Sequence, residues 1–221
     1  MLKRQKYGVL AILLTLLYSC RFYMIYYRYG YKQYGNDTKD CKGGYMNFEV
    51  EVLKHPTEED WMLAKQCTLV TIGKDVVKPP TMEWKNKLLA ANHSPIRTLE
   101  FCFKLIDIPN WVAVHLCRHV HATPFVKTQR NDRQDDFDRR AARQDTPVTM
   151  CWYMNAEELI TIAHKRLCTQ ASPETRKVVK AICDKVLETN PEFEGLLVPM
   201  CAYRGGVCTE FYPCGLNEKY K

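Results

Sequence analysis

The chain has 221 residues and a formal net charge of +7, a length sufficient for one domain with a full hydrophobic core. Residues 1–45 hold eight Lys/Arg and two Asp, so the remaining 176 residues carry 24 bases against 23 acids. A nearly neutral remainder excludes the broad basic surface that nucleic-acid-binding proteins need.

The first 45 residues differ in composition from the rest of the chain. They contain nine of the 13 tyrosines and an apolar run from Tyr7 to Tyr18, which is short for a membrane span but typical of a signal-peptide core. Cys20 lies where a bacterial lipoprotein signal places its lipidated cysteine. In the competing interpretation, residues 42–46 are encoded by a ribosome-binding sequence and a start codon. We favour a start at Met46, with residues 1–45 a leader or mistranslated upstream segment outside the fold.

The predicted elements after Met46 begin with a strand. Alternating apolar residues over 47–53 indicate a half-buried strand. Thr57 followed by Asp60 resembles a capping box, which predicts a helix through about Cys67. A second helix is predicted over residues 81–92, with two prolines before it.

The second part of the domain combines one clear strand with three helices. A strand is predicted over 98–106, and a short helix follows over 110–117. Asn155 and Glu158 have the spacing of a helix cap. A last helix is predicted over 172–189, with Ser172 as its cap and Pro173 at its first position. Because strands and helices follow no regular βαβ alternation, we expect an α+β domain over residues 46–221 with a mixed sheet and flanking helices.

Arg166 lies in line with the apolar stripe of the helix that begins at Asn155. At 100° per residue these two side chains point within about 20° of each other. An arginine in this position either reaches water at the helix end, is paired, or binds a ligand.

Residues 117–133 concentrate cations and hydroxyls. Arg118, Lys127, Thr128 and Arg130 suit a phosphate monoester, and a solvated basic loop is the alternative interpretation. His115 and His119 have the i, i+4 spacing of metal ligands, but no nearby carboxylate completes a set. The eleven cysteines are scattered and indicate reduced thiols, and those at 201, 208 and 214 lack the paired short spacing of a zinc ribbon. No metal site is predicted.

The stretch RHVHATPFVKTQR, residues 118–130, resembles the signature RHRxxSxNxxSxR of flavin-dependent thymidylate synthases. Arg118 and His119 match its first two positions, Thr123 and Thr128 stand for the serines, and Arg130 matches the last arginine. HSPIR, NAEELITIAHKRL and RRAARQD, at 93–97, 155–167 and 139–145, resemble further segments of the family. The resemblance extends from Met46 to about Glu174.

Four positions depart from the family pattern. Val120 replaces an arginine, Phe125 replaces an asparagine, Val126 stands where many members have Glu, and Thr161 replaces a second asparagine. The segment PFVKTQR is similar to a divergent branch associated with phages and gut bacteria. These departures concern flavin binding above all.

The resemblance implies a homotetramer that converts dUMP to dTMP at sites shared between subunits. FAD would be the cofactor, with NADPH and methylenetetrahydrofolate as co-substrates. It implies that Arg166 is catalytic, facing the uracil and favouring its N3-deprotonated form, and it nominates no cysteine nucleophile. The residues implied for the substrate are His115, Arg118, Lys127, Thr128, Gln129, Arg130, Arg139 and Arg166, and those for FAD are Ser94, Arg118, His119, Val120, Asn155 and Thr161.

Two other functions remain open from the sequence. One is a related flavin enzyme that modifies another pyrimidine nucleotide at C5, and the other is a surface lipoprotein that binds nucleotides without catalysis. Folate, NADPH and dUMP are cytoplasmic metabolites. A thymidylate synthase would therefore be cytoplasmic, with no nucleic-acid partner and, if it starts at Met46, no membrane partner.

Overall fold

A computed structural model of the chain describes residues 46–134 and 137–221. These residues belong to one compact unit, Gly43–Lys221, and the predictions for residues 1–45 lie outside the described residues. The elements in chain order are β1 Glu49–Lys54, α1 Glu58–Val70, α2 Met82–Ala90, β2 Glu100–Pro109, α3 Asn110–Leu116, β3 Thr123–Val126, β4 Pro147–Asn155, α4 Ala156–Arg166, α5 Pro173–Thr189 and α6 Met200–Tyr203, with 3₁₀ helices at Ser94–Thr98, Pro191–Phe193 and Leu216–Tyr220.

The four strands form one sheet in the order β1-β2-β4-β3. The α+β class with flanking helices is confirmed. Each strand pair in the described sheet is antiparallel, whereas the predicted sheet was mixed. The difference arises because β2 and β3 run in the same direction but are not neighbours, since β4 lies between them and runs in the reverse direction.

A bulge near the end of β2 directs the chain toward α3. Leu105 pairs with Met150 and Ile108 with Val148, so β2 has one more residue than β4 between these pairs. Asp107 within the bulge has φ +57°, a left-handed conformation that Asp tolerates better than most residues. The extra residue turns Ile108 back into the core.

One face of the sheet forms the core beneath the helices. The predicted alternation in β2 is confirmed, since Leu99, Phe101, Phe103 and Leu105 are fully buried. Helix α5 packs against β1, α3 and α4, and α3 packs against β2 and β4. The opposite face is half-exposed, with an ion pair between Lys104 and Glu51 at 3.0 Å. The helices that carry the predicted site are therefore seated on one side of the sheet.

The predicted helix starts are confirmed, and the helix lengths differ modestly. The Thr57–Asp60 capping box is complete, and α1 continues to Val70, beyond the predicted end at Cys67. Helix α2 begins at Met82, after the two prolines, with Thr81 as its cap. Ser172 caps α5, with a proline at its first position.

Strands β3 and β4 are not among the predicted elements. β4 leads directly into α4, and the Ala156 N–H donates to the Leu99 carbonyl at 2.8 Å. This bond fixes the start of α4 beside the start of β2, so that its C-terminal end reaches α3. Within residues 46–134 and 137–221, no helix combines the length and apolar character needed to cross a membrane.

Candidate active site

Arg166, the last residue of α4, reaches across to the C-terminal end of α3. Its Nε donates to His119 Nε2 at 2.8 Å, and its Nη2 donates to the His115 carbonyl at 3.2 Å. Both acceptors are uncharged groups, and the half-buried guanidinium forms no ion pair within the described part of the chain. Arg166 is therefore paired by hydrogen bonds, but its charge is not neutralised.

The bond from Arg166 determines which nitrogen of His119 carries the proton. An arginine N–H can only donate, so His119 Nε2 accepts and the proton lies on Nδ1. Nδ1 is 3.3 Å from Glu158 Oε1, and both side chains are about nine-tenths buried. Burial, and then the neighbouring Arg166 cation, lower the pKa of His119 to about 4. His119 is thus neutral at pH 7 and oriented from both sides.

Glu158 completes this chain of contacts and was not a predicted site residue. Its backbone N–H donates to Asn155 Oδ1 at 3.0 Å, as the predicted cap requires. Its side chain turns to His119 instead of the cap, and burial raises the pKa of its carboxyl group. The only sequence signal was the cap spacing, which accounts for the backbone contact and does not indicate the histidine.

Arg118 adds a second cation near Arg166. Desolvation, and then the charge of Arg118, lower the pKa of Arg166. The Arg118 side chain is exposed, and it has no hydrogen bond or ion pair to any other described residue. Two neighbouring arginines without a carboxylate partner make this end of α3 and α4 favourable for an anionic ligand.

The side chains of His115 and Trp152 contact neighbouring side chains of the protein and not Arg166. The His115 ring packs edge-on against Trp111 and lies 3.4 Å from the Thr175 hydroxyl. Trp152 of β4 lies edge-on beneath His119, with ring centroids 6.1 Å apart. Its Nε1 is buried without a hydrogen-bond partner among the described residues. His115 therefore contributes its carbonyl, and not its side chain, to Arg166.

The segment after β3 forms a separate group of predicted substrate residues. The Lys127 N–H donates to the Thr149 carbonyl at 2.8 Å, which extends the pairing of β3 with β4. The Thr128 hydroxyl accepts the Arg130 N–H at 3.3 Å, and its carbonyl accepts from Gln134 Nε2 at 2.7 Å. These contacts hold the loop in a compact turn with its Lys and Thr side chains exposed.

Arg130 is engaged by a neighbour within the same loop. Its guanidinium donates through two nitrogens to Asp132 at 2.9 and 2.6 Å, which raises the pKa of Arg130 and lowers that of Asp132. The pair is exposed, so solvent weakens it. Gln129 Nε2 is a buried donor with no acceptor among the described residues, and Arg139 lies in an exposed turn.

The residues predicted for FAD are distributed along α4 and its surroundings. Ser94 is exposed at the start of a 3₁₀ helix, and the Val120 side chain is 83% exposed. Asn155 Oδ1 serves as the cap of α4, and the Thr161 hydroxyl donates to the Glu157 carbonyl at 2.9 Å.

Thr161 lies on a different face of α4 from Arg166. Five residues separate them, which corresponds to a rotation of about 140°. Thr161 lines a cavity of about 230 Å³ together with His164, Tyr203 and Arg204. The structure thus brings Arg118, His119 and Arg166 together and separates Thr161 from them.

Comparison with solved structures shows which class of fold this is. A structure of thymidylate synthase X from Helicobacter pylori with FAD and dUMP is similar over 67% of this chain and 99% of that chain, with a TM-score of 0.56 and 14% identity. A second structure, of the flavin-dependent thymidylate synthase of the same organism complexed with FAD and dUMP, covers 67% and 97% with a TM-score of 0.56 and 13% identity. The chain therefore has the fold of flavin-dependent thymidylate synthases.

No protein-family model matches the chain, and no curated protein matches it. The similarity thus lies in the fold rather than in the sequence as a whole.

The donors of the two groups, at the ends of α3 and α4 and in the loop after β3, suit anionic or acceptor-rich ligands. Gln129 Nε2 needs an acceptor, Arg166 lacks a counter-charge, and Arg118 is unengaged within the described residues. Phosphate and uracil oxygens are acceptors, and a deprotonated uracil carries the opposite charge. For FAD, the fit rests on Arg118 and Ser94, because the side-chain oxygens of Asn155 and Thr161 already form hydrogen bonds within α4.

Proposed function

We propose that the chain is an enzyme of the flavin-dependent thymidylate synthase type, which reductively methylates dUMP to dTMP. FAD would be the cofactor, with NADPH and methylenetetrahydrofolate as co-substrates. The observation that supports this most directly is Arg166, a half-buried cation held by two uncharged acceptors in a fold shared with thymidylate synthase X.

Arg166 would act on the uracil ring. A cation in a partly desolvated site stabilises negative charge more strongly than it does in water. Placed at N3 of the base, Arg166 would favour the deprotonated ring and increase electron density at C5. His119 would act as a positioning residue, because it fixes the guanidinium while Glu158 fixes its proton. Neutral His119 leaves the full charge of Arg166 available to the substrate.

The loop after β3 would bind the phosphate of dUMP. Arg130 would exchange its exposed contact with Asp132 for the phosphate, since a planar guanidinium can donate two parallel hydrogen bonds. The Thr128 hydroxyl and Lys127 would add donors, and the buried Gln129 amide would find the acceptor it lacks. His115 and Arg139 remain substrate residues by resemblance only.

FAD would be held by Arg118 and Ser94 and by the backbone near Val120, whereas Asn155 and Thr161 remain FAD residues by resemblance only. His119 would border it. When bound, FAD would supply the hydride-transfer chemistry that the reductive methylation requires. The protein's part is to bind and orient the three ligands and to keep Arg166 protonated beside the base.

A homotetramer would complete the site, because the resemblance implies ligands shared between subunits. The apolar side chains around the signature, Val120 and Phe125, are 83% and 62% exposed. A second subunit would cover them and exclude water from Arg166. The cytoplasm would supply all three small-molecule substrates.

The proposal is tested with the purified protein. We expect it to be yellow, or to become so with added FAD, and NADPH should bleach the flavin in a manner that depends on dUMP. Mass spectrometry should detect dTMP when methylenetetrahydrofolate is present. Colourless protein that takes up no FAD would contradict the proposal.

Replacing Arg130 by alanine should raise the KM for dUMP by about tenfold or more, the effect of one lost charge-assisted hydrogen bond. The affinity for FAD should change little, because Arg130 mainly contributes substrate binding. Steady-state kinetics and flavin titration measure the two quantities.

Arg133→Ala is the matched control for Arg130→Ala, since Arg133 is exposed in the same loop and is 3.9 Å from the same Asp132 carboxylate. It should leave the KM for dUMP nearly unchanged. Deoxyuridine, which lacks the phosphate, should be a poor substrate. Equal activity with deoxyuridine and dUMP would mean that this loop does not bind phosphate.

A second candidate is a flavin enzyme that modifies another pyrimidine nucleotide at C5. It is favoured by Val120, an exposed apolar residue where the family signature has an arginine. Such a change would alter how the flavin is held while leaving Arg166 in place. Substrate-dependent bleaching with a panel of pyrimidine monophosphates separates the two functions.

A further inference from the structure

Four cysteines from separate segments surround one small cavity in the C-terminal part of the protein. Cys168 follows α4, Cys201 lies in α6, and Cys208 and Cys214 lie in the segment after α6. They line a cavity of about 10 Å³, together with Glu210 and other residues. This volume is close to that of a single water-sized sphere.

The thiols lie close together and are not joined by disulfides. The pKa of the Cys214 thiol is lowered, first by its interaction with the Thr169 side chain and to a smaller extent by that of Cys168. The electrostatic neighbours of Cys201 are the other three thiols, at 168, 208 and 214. All four cysteines are free, and two of them, Cys168 and Cys201, are buried.

Contacts outside the thiols hold the C-terminal segment against α4. Gln170 Nε2 donates to the Tyr212 carbonyl at 2.7 Å, and Lys165 lies 3.9 Å from Glu210. Asn217, which is buried, donates to the Gly206 carbonyl at 3.3 Å. These contacts place Cys208 and Cys214 beside Cys168 and Cys201 in the folded protein.

Four thiols around a cavity of one-atom size match the chemistry of a structural zinc site. Zn²⁺ prefers four ligands in a tetrahedral arrangement, and thiolates select it over Mg²⁺ or Ca²⁺. The spacing of Cys201, Cys208 and Cys214 alone does not indicate such a site. Cys168, which lies more than 30 residues earlier in the chain, supplies the fourth thiol only in the folded protein.

We propose that Cys168, Cys201, Cys208 and Cys214 bind one Zn²⁺ ion, which fastens the C-terminal segment to the end of α4. Among the described residues, no three His, Cys, Asp or Glu side chains already form a ready metal-ligand group. The sulfurs must therefore move inward on binding, to about 2.3 Å from the ion, and each coordinating thiol must lose its proton. This site is structural and goes beyond the proposed catalytic function.

The experiment uses the full chain, stripped of metal with a chelator and kept reduced. Titration with Co²⁺, a spectroscopic substitute for Zn²⁺, should produce thiolate-to-metal charge-transfer absorption and the visible bands of a tetrahedral site. Native mass spectrometry should find one Zn²⁺ per chain. Alkylation followed by peptide mapping should show that Zn²⁺ protects these four cysteines and leaves Cys67 reactive.

The single variants Cys168→Ser and Cys201→Ser should each weaken Zn²⁺ binding at least about tenfold. Loss of a residue that only contacts a metal ligand already costs about 10- to 100-fold in affinity, so loss of a ligand should cost no less. Cys67→Ser, in α1, is the control and should bind as the wild type does. The alkylation pattern of the wild type decides the matter even if a variant fails to fold. A reduced chain that binds no Zn²⁺, or binds it without protecting these four thiols, would overturn the proposal.

Discussion

Replacing Arg166 by alanine should lower the turnover of dUMP at least about tenfold while FAD remains bound. A hydrogen bond to a charged group contributes about 1.5–3 kcal/mol, and about 1.4 kcal/mol corresponds to a factor of ten in rate. Arg166 should exceed the lower limit because its charge is partly desolvated and has no carboxylate partner among the described residues. The effect should appear in kcat, since the charge on the base develops during the reaction.

The control for Arg166→Ala is the neighbouring cation on the same helix. Lys165 is exposed and lies 3.9 Å from Glu210, away from His119. Lys165→Ala should leave kcat nearly unchanged. Arg166→Lys should recover only part of the activity, because an ammonium group cannot donate to His119 and the substrate with the geometry of a planar guanidinium.

The measurement combines pre-steady-state bleaching of the flavin with product analysis. If Arg166→Ala turned over dUMP at the wild-type rate, Arg166 would only be an arginine at a helix end with its charge near water. That outcome would contradict the catalytic role and leave the fold and the flavin site unaffected.

The sequence predicted those parts of the fold that depend on local chemistry. The caps at Thr57, Asn155 and Ser172 are confirmed because each involves a side chain and a backbone N–H three residues away. The alternation in β2 is confirmed because one face is wholly buried.

The two strands absent from the prediction are absent for different reasons. β3 is four residues long, contains a proline and lies at the sheet edge. Its residues are exposed except for the proline, which is half-buried. Its sequence resembles a ligand-binding segment, and its strand conformation depends on pairing with β4. β4 does alternate, with Val148, Met150, Trp152 and Met154 buried. Its Val, Thr, Trp and Tyr residues are typical of strands, so its local pattern was present in the sequence and was overlooked.

The sequence predicts individual candidate residues of the site but does not predict the contacts between them. Arg166 stood out because a cation lay in an apolar stripe. Its partner His119 lies 47 residues earlier, and their contact depends on how α3 and α4 meet over the sheet. Glu158 illustrates the same limit. Its position three residues after Asn155 predicts only a helix cap, and the contact of its side chain with His119 depends on the folded structure.

Lowering the pH from 7 to 4.5 should destabilise the protein by about 2 kcal/mol through His119. Burial and Arg166 hold the pKa of its ring at about 4 in the folded state, against 6.5 ordinarily. Between these two pKa values the unfolded chain binds a proton at this histidine and the folded chain does not. The free energy of unfolding therefore decreases as the pH is lowered. The full separation corresponds to about 3 kcal/mol, and partial solvent exposure reduces it. Above pH 6.5 the contribution is constant.

Two other groups titrate in the same range. Burial lowers the pKa of His164 to about 4 as well, which adds a loss of the same sign. Burial raises the pKa of Glu158, so this carboxyl group takes up a proton more readily when folded and offsets part of the loss. The wild-type pH profile therefore contains all three effects, and a variant is needed to isolate that of His119.

His119→Gln isolates this contribution, because the glutamine oxygen can accept from Arg166 but does not titrate. Urea unfolding at pH 7 and pH 4.5 should show that this variant loses about 2 kcal/mol less stability than the wild type over this interval. His93→Gln is the control, since His93 is exposed, and its pH profile should parallel that of the wild type. If His119→Gln and the wild type lost equal stability, His119 would not be the neutral, buried link between Arg166 and Glu158. The cation of Arg166 would then have to be held in place by the His115 carbonyl alone.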